Sequence, residues 1–211
     1  ATASPCFMVC THGGQGCATS TRLLLPRSRY EEGVEATAAM LGALPYGDPQ
    51  DPGVMTGPIV NKAQLERIEG LVDRAVAAGA RVVVGGGRPE QFEKGYYYKP
   101  TLLADVTNDM EIAQVEIFGP VLVAIAFDDD NDAVRIANDS PYGLSGAVMS
   151  DDRERALAVG RRIRTGTMSI NGGSWYAVDV PFGGYKQSGL GRESGVSGFE
   201  EYLEEKALAE P

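Results

Sequence analysis

The sequence predicts an α/β fold: a largely parallel sheet flanked by helices. Three features lead there. Short apolar runs with strand character alternate with amphipathic stretches of helical period. The stretches between successive runs are long enough to be crossovers, which parallel neighbours need and hairpins do not. One run, residues 121–127, is apolar at both alternating sets of positions, as a strand covered on both faces must be.

Taken in order, residues 21–25 read as a strand that Pro26 ends. Ser28 stands three residues before Glu31, a capping-box spacing, and Tyr30, Val34, Ala38 and Leu41 recur at helical intervals, so a helix is expected over about 28–44. Pro45, Gly47, Pro49, Pro52, Gly53, Gly57 and Pro58 then form a long loop. Leu65, Ile68, Leu71, Val72, Ala75 and Val76 make one stripe on a helix over 61–78, with Gly79 at the place of a C-terminal cap. Residues 81–85 read as a short buried strand, followed by strand candidates at 97–103 and 121–127. A helix over 131–138 leads to a strand at 145–149. Ser150, Asp151 and Asp152 cap the next helix, which reaches about Ile163 ahead of a strand at 165–170. The acidic tail from Phe199 suits a short helix or an edge strand docked on another subunit.

With 211 residues, 43% of them hydrophobic and 23% charged, the chain can form one large or two small globular domains. A net charge of -10 repels phosphate backbones and anionic lipid, so neither a nucleic-acid nor a membrane-surface partner is expected. The longest apolar run falls far short of the roughly 18 residues of a membrane span. The first residues lack the basic flank and apolar stretch of a secretory signal, so a cytoplasmic location is the expectation. Cys6, Cys10 and Cys17 crowd the start of the chain, which is not a secreted disulfide framework. With His12 they contain four soft or borderline ligands, but all are local in sequence, unlike the paired turns of a zinc site. No metal is expected.

Three motifs carry a resemblance. Gly14-Gln15-Gly16-Cys17 is similar to the Gly-Gln-x-Cys nucleophile segment of the aldehyde dehydrogenase superfamily. Glu116-Ile117-Phe118-Gly119-Pro120 resembles that family's Glu-x-Phe-Gly-Pro cofactor motif. The run Pro181-Phe182-Gly183-Gly184-Tyr185-Lys186-Gln187-Ser188-Gly189-Leu190-Gly191-Arg192-Glu193 resembles its carboxyl-terminal signature. Together, in the family's order, they cover essentially the whole chain.

The resemblance implies an NAD(P)-dependent oxidoreductase, with NAD as the commoner cofactor and NADP the alternative. Its substrate is a small-molecule aldehyde, converted to a carboxylic acid through a thiohemiacetal and a thioester on Cys17. A thiolate is a strong nucleophile toward a carbonyl carbon, and flanking glycines let backbone amides approach a developing oxyanion. Without the motif, Cys17 would read as an inert buried thiol; Cys6 and Cys10 read as packing residues of a preceding helix. Glu116 and Phe118, two apart, share a face if the stretch is extended, where the carboxylate suits ribose hydroxyls and the ring limits the nicotinamide. A surface glutamate beside a core phenylalanine is the plain alternative. Gln64 and Arg67 occupy places similar to positions near the adenosine ribose, although Arg67 equally suits a solvated charge. Trp175, Tyr176 and Phe182 by resemblance line the mouth of the aldehyde tunnel, with core packing the alternative for Phe182.

Members of that family are much longer chains, whose Rossmann-like cofactor domain, general-base glutamate and oxyanion-hole asparagine mostly precede the cysteine. The sequence is therefore expected to be a fragment, a cleaved piece or a truncated relative, inactive alone, with a catalytic domain over 1–198 and an oligomerisation tail over 199–211. The complete enzyme is then a homodimer or homotetramer. Two other functions fit less of the sequence: a catalytically silent interaction module, and an acylating enzyme in which coenzyme A intercepts the thioester.

Overall fold

A computed structural model describes residues 3–174 and 176–211. The chain divides into two compact units, residues 1–140 and 141–211.

The first unit begins with helix α1 (Ala3–Cys10), a 3-10 turn and strand β1 (Arg22–Pro26), then α2 (Tyr30–Ala43). The proline- and glycine-rich loop leads to α3 (Lys62–Ala77), β2 (Arg81–Val84), β3 (Thr101–Ala104), the single-turn α4 (Glu111–Gln114), β4 (Val121–Phe127) and α5 (Asp130–Asn138). The sheet order is β1-β4-β3-β2; β1 and β3 both run parallel to β4, and β2 is antiparallel to β3.

Side-chain alternation along β4 sets the layers. Val121, Val123 and Ile125 point into a cluster with Leu65, Ile68, Leu71 and Val72 of α3, Ile112 of α4 and Ile136 of α5. Leu122 and Ala124 point the other way, to Cys6, Val9 and Cys10 of α1 and Val34 and Leu41 of α2. The sheet is thus sandwiched between helical layers, and β4 lies inside both cores. Full burial of each such aliphatic side chain stabilises by about 1.5–3 kcal/mol.

Caps follow local chemistry where they form. The Asn61 side chain accepts from Gln64 N at α3, Asp129 from Asp132 N at α5, and Asp152 from Arg155 N at a later helix. Gly79, at φ +108, ends α3 as expected. Ser28 does not cap α2. Residues 27–29 form a 3-10 turn, and Arg29 stands at the N-cap, its side chain paired with Glu32 and making no capping hydrogen bond. The expectation for 81–85 also needs correction. β2 is the antiparallel edge, with Val82 39% exposed. Arg81 of that edge is paired with Asp105 and Glu31, charges that discourage further strand pairing.

Arg22, at the entry to β1, closes the C-terminal end of α5. Its guanidinium donates to Ile136 O (3.0 Å), Ala137 O (2.9 Å) and Asn108 Oδ1 (2.7 Å). Burial lowers its pKa, and nearby Asp139 opposes that shift.

The second unit holds β5 (Tyr142–Gly143), β6 (Ser145–Val148), α6 (Arg153–Gly160), β7 (Thr167–Ile170), β8 (Tyr185–Lys186) and α7 (Gly195–Glu200). β6 pairs parallel with β7 across the α6 crossover, and β5 pairs antiparallel with β8. α6 stops at Gly160, short of Ile163, because the chain tightens there into i→i−3 bonds, Arg162 N donating to Val159 O (3.0 Å) and Ile163 N to Gly160 O (3.2 Å). The tail forms neither helix nor strand over 203–211. Among the described residues no helix is long and apolar enough to cross a membrane.

The double coverage of β4 makes Leu122→Ala costly. We expect urea denaturation to show a loss of about 2–5 kcal/mol at unchanged m-value, and a loss below about 1 kcal/mol would contradict the packing described.

Candidate active site

Parallel pairing decides which loops meet. β1 and β4 are parallel neighbours, so the segments that enter them, residues 13–21 and 115–120, lie at the same edge of the sheet. The sequence motifs around Cys17 and Glu116 sit in those segments.

Their contact is backbone on backbone. Gly14 has φ +70, and a Cβ there would lie 2.1 Å from the Gly119 carbonyl oxygen and 2.8 Å from Pro120 N. Gly119 is equally confined from its other side: a Cβ on it would lie 2.4 Å from Ile68 Cδ1 of α3. Only glycine at both places lets the two segments and the helix close up.

Cys17 follows at the second position of a turn in which Thr19 N donates to Gly16 O (3.1 Å). It is exposed, whereas Cys6 and Cys10 are buried. Burial raises both of those thiols to about 11, with the neighbouring Cys10 adding to the effect at Cys6 and a hydrogen bond involving Thr56 opposing it at Cys10. The Cys17 turn is braced by Gln15, whose Oε1 accepts from Val60 N (2.8 Å) while Nε2 donates to His12 O (3.0 Å) and Pro58 O (3.4 Å). Thr56 Oγ1 also donates to Cys10 O (3.0 Å), tying the end of α1 to the same loop. Gln15 had no assigned role in the sequence reading. A polar side chain inside a glycine-bounded segment, with no strand or helix to order it, was the available signal.

The segment carrying Glu116 and Phe118 is not extended. Phe118 has φ +58, a left-handed conformation that costs a residue with a Cβ about 1–3 kcal/mol. The expectation that Glu116 and Phe118 share a face through strand alternation therefore fails. Glu116 is exposed, Ile117 fully buried and Phe118 half-buried. Val121 N donates to Gly119 O (2.8 Å), closing a three-residue turn about Pro120 that directs the chain into β4.

α3 supplies the partners of this segment. Gln64 Nε2 donates to Ile117 O and Phe118 O, each at 2.9 Å. Arg67 donates from one terminal nitrogen to Ile117 O (2.7 Å) and from the other to Glu116 O (2.6 Å). The structure thus gathers Cys17, Glu116, Phe118, Gln64 and Arg67 around two touching segments and one helix face.

Of the aromatic residues singled out, Trp175 lies outside the described residues. In the second unit, the Tyr176 and Phe182 rings meet edge to face with centroids 6.4 Å apart. Phe182 and Glu193 exchange main-chain hydrogen bonds of 2.7 Å, closing the 181–193 loop. Arg192 donates to Gly184 O (3.1 Å) and Gly191 O (2.6 Å), with its guanidinium 5.5 Å from the Tyr185 ring centre. The glycines allow backbone contact here too: a Cβ on Gly166 would lie 1.6 Å from Gly183 O.

A cavity of about 850 Å³ lies at the other edge of the main sheet, among residues that follow β1, β3 and β4. Its arginines face carboxylates in the same wall, Arg27 with Asp128 and Arg135 with Asp132. It contains none of the motif residues. Among the described residues no three His, Cys, Asp or Glu side chains are placed to share a metal ion.

The close approach at Gly14 is directly testable. Gly14→Ala should destabilise the protein by about 1–3 kcal/mol in chemical denaturation. Gly87→Ala, where a Cβ meets nothing within 4 Å, should stay within about 0.5 kcal/mol. Equal effects of the two would contradict the contact.

Comparison with known proteins agrees with the motifs. The model of the aldehyde dehydrogenase family matches residues 1–208. A putative aldehyde dehydrogenase of Staphylococcus saprophyticus is 43% identical over 197 residues, covering 93% of this chain and 41% of its own. The crystal structure of a Mycobacterium tuberculosis aldehyde dehydrogenase complexed with NAD+ superposes with a TM-score of 0.92 at 47% identity, over 98% of this chain and 43% of that one. A mutant aldehyde dehydrogenase C from Pseudomonas syringae, complexed with NAD+ and octanal, superposes with a TM-score of 0.93 at 43% identity, over 97% and 42%. The chain spans about two fifths of the length of these relatives. On the match over residues 1–208, this chain belongs to the aldehyde dehydrogenase family.

Proposed function

We propose that the protein to which this chain belongs oxidises an aldehyde to a carboxylic acid with NAD or NADP, and that Cys17 is its nucleophile. The observation that carries the reading is the Gly14–Gly119 contact, which sets the segment of the one exposed cysteine directly against the Glu116–Phe118 segment.

The Cys17 thiolate forms a bond to the carbonyl carbon while the carbonyl electron pair moves to oxygen, and main-chain N–H groups of the glycine-bounded turn are suited to receive that charge. As the C=O re-forms, the C–H bond of that carbon breaks and its electron pair leaves as hydride, for which NAD, when bound, would supply the two-electron acceptor. The acyl group then stays on Cys17 Sγ as a thioester until water releases the acid. The residues present fit a nicotinamide nucleoside. Exposed Glu116 offers a carboxylate to paired ribose hydroxyls, half-buried Phe118 offers a ring edge, and Gln64 and Arg67 belong to the same cofactor site. The resemblance assigns Trp175, Tyr176 and Phe182 to the substrate wall, a role in which apolar side chains would suit an aldehyde and hold water away. The relatives crystallised with NAD+, one of them also with octanal, support both ligand classes.

We further propose that residues 1–198 form the catalytic part and that the tail over 199–211 engages a second copy. Phe199, Tyr202 and Leu208 are 66%, 85% and 85% exposed, and a partner strand would cover them. An isolated polypeptide of these 211 residues should lack dehydrogenase activity, because the resemblance places the general base and the main nucleotide platform elsewhere.

In the full-length protein, Cys17→Ser should lower aldehyde-dependent NADH formation by more than about a thousandfold, and retention of a tenth of the activity would exclude Cys17 as nucleophile. Thiol chemistry gives a second readout. At pH 8, groups shifted to about 11 are ionised to about one part in a thousand, so iodoacetamide should modify Cys17 well before Cys6 and Cys10. Labelling of the buried pair should rise only as pH approaches 11 or on unfolding; equal labelling of all three in folded protein would remove the distinction.

A further inference from the structure

We infer that Gln64 and Arg67 are positioning residues, which serve the cofactor site by holding the main chain of residues 116–118. The inference rests on the reading of that segment as the cofactor loop.

Residues 116–118 belong to no helix or strand, so no sheet or helix ladder satisfies their carbonyls. Ile117 is fully buried, which removes water as an alternative donor to its carbonyl. α3 meets that need with four hydrogen bonds to three successive carbonyls. The Gln64 amide nitrogen takes Ile117 O and Phe118 O; the two terminal nitrogens of Arg67 take Ile117 O and Glu116 O. Three-residue spacing puts both side chains on one helix face. Gln64 stands at the third helical position, where a glutamine commonly reaches back to its own N-cap; here the cap bond is the Gln64 backbone N donating to Asn61 Oδ1, and the Gln64 side chain is turned to the loop.

These bonds bracket the strained residue. Phe118 is held at φ +58 with its carbonyl fixed by Gln64, while the following glycine is packed between Ile68 and Gly14. A phenylalanine released from those partners would relax toward an extended backbone, turning both its own ring and the Glu116 carboxylate. Arg67 is not interchangeable with lysine in this role. The guanidinium fork spans two carbonyls at fixed spacing, whereas an ammonium offers one centre.

The test uses the full-length protein carrying Gln64→Ala, Arg67→Gln or Arg67→Lys. Amide hydrogen exchange in cofactor-free protein should quicken over 116–119 in the first two variants and stay unchanged in α3 and β4. The NAD dissociation constant should rise about tenfold through lost preorganisation. Arg67→Lys should fall between wild type and Arg67→Gln in both readouts. Weaker NAD binding with unchanged exchange over 116–119 would overturn the inference in favour of direct nucleotide contact. Faster exchange spread equally through α3 and β4 would overturn it in favour of a general packing role. Wild-type protein that bound no NAD would defeat the functional reading instead, and the exchange comparison would still decide whether these residues position the loop.

Discussion

The close passage of residues 116–120 between α3 and the Cys17 segment is the constraint on which the rest of the site depends. Neither Gly14 nor Gly119 leaves room for a Cβ, so the two segments have a single separation available to them. That separation in turn requires α3 to stand where Ile68 closes against Gly119 and where Gln64 and Arg67 reach the loop carbonyls. The position of α3 comes from its buried stripe of Leu65, Ile68, Leu71, Val72 and Ala75 against β4 and β3. Packing that looks purely structural therefore sets the geometry of the Cys17 segment.

The three cysteines show how one chemical group takes different roles from burial alone. Cys6 and Cys10 lie one helical turn apart in α1 and fill the core beneath β4, where desolvation keeps them as neutral thiols. Cys17 lies beyond the end of that helix, past a run of left-handed residues at His12, Gly13 and Gly14 that carries the chain out of the core to an exposed turn. Nothing in the side chains distinguishes them; the glycines do.

Much of this was legible in the sequence where period and composition speak. The two-faced apolar run of β4, the stripe of α3 with Asn61 and Gly79 at its ends, and the loop of prolines and glycines all appear at or near their expected places. Other features were hidden for definable reasons. Ser28 has the spacing of a capping residue, but spacing cannot show that the chain leaves β1 through a 3-10 turn. The β2 run of valines looks buried because apolar content does not report whether a strand is central or at an edge. Alternation suggested a shared face for Glu116 and Phe118, and a single positive φ at Phe118, set by contacts distant in sequence, overrules it. Gln64 and Arg67 could be placed at the site by resemblance, yet their actual partners are main-chain carbonyls, which leave no mark on the sequence.

The carbon–sulfur bond proposed at Cys17 leaves a mass on that residue. Mass analysis of the full-length protein, quenched in acid during turnover of an aldehyde with NAD, should find an acyl group, removable by hydroxylamine, on the peptide containing Cys17 and on neither Cys6 nor Cys10. An acyl group found on another residue, or turnover with no acyl group on Cys17 at any quench time, would contradict it.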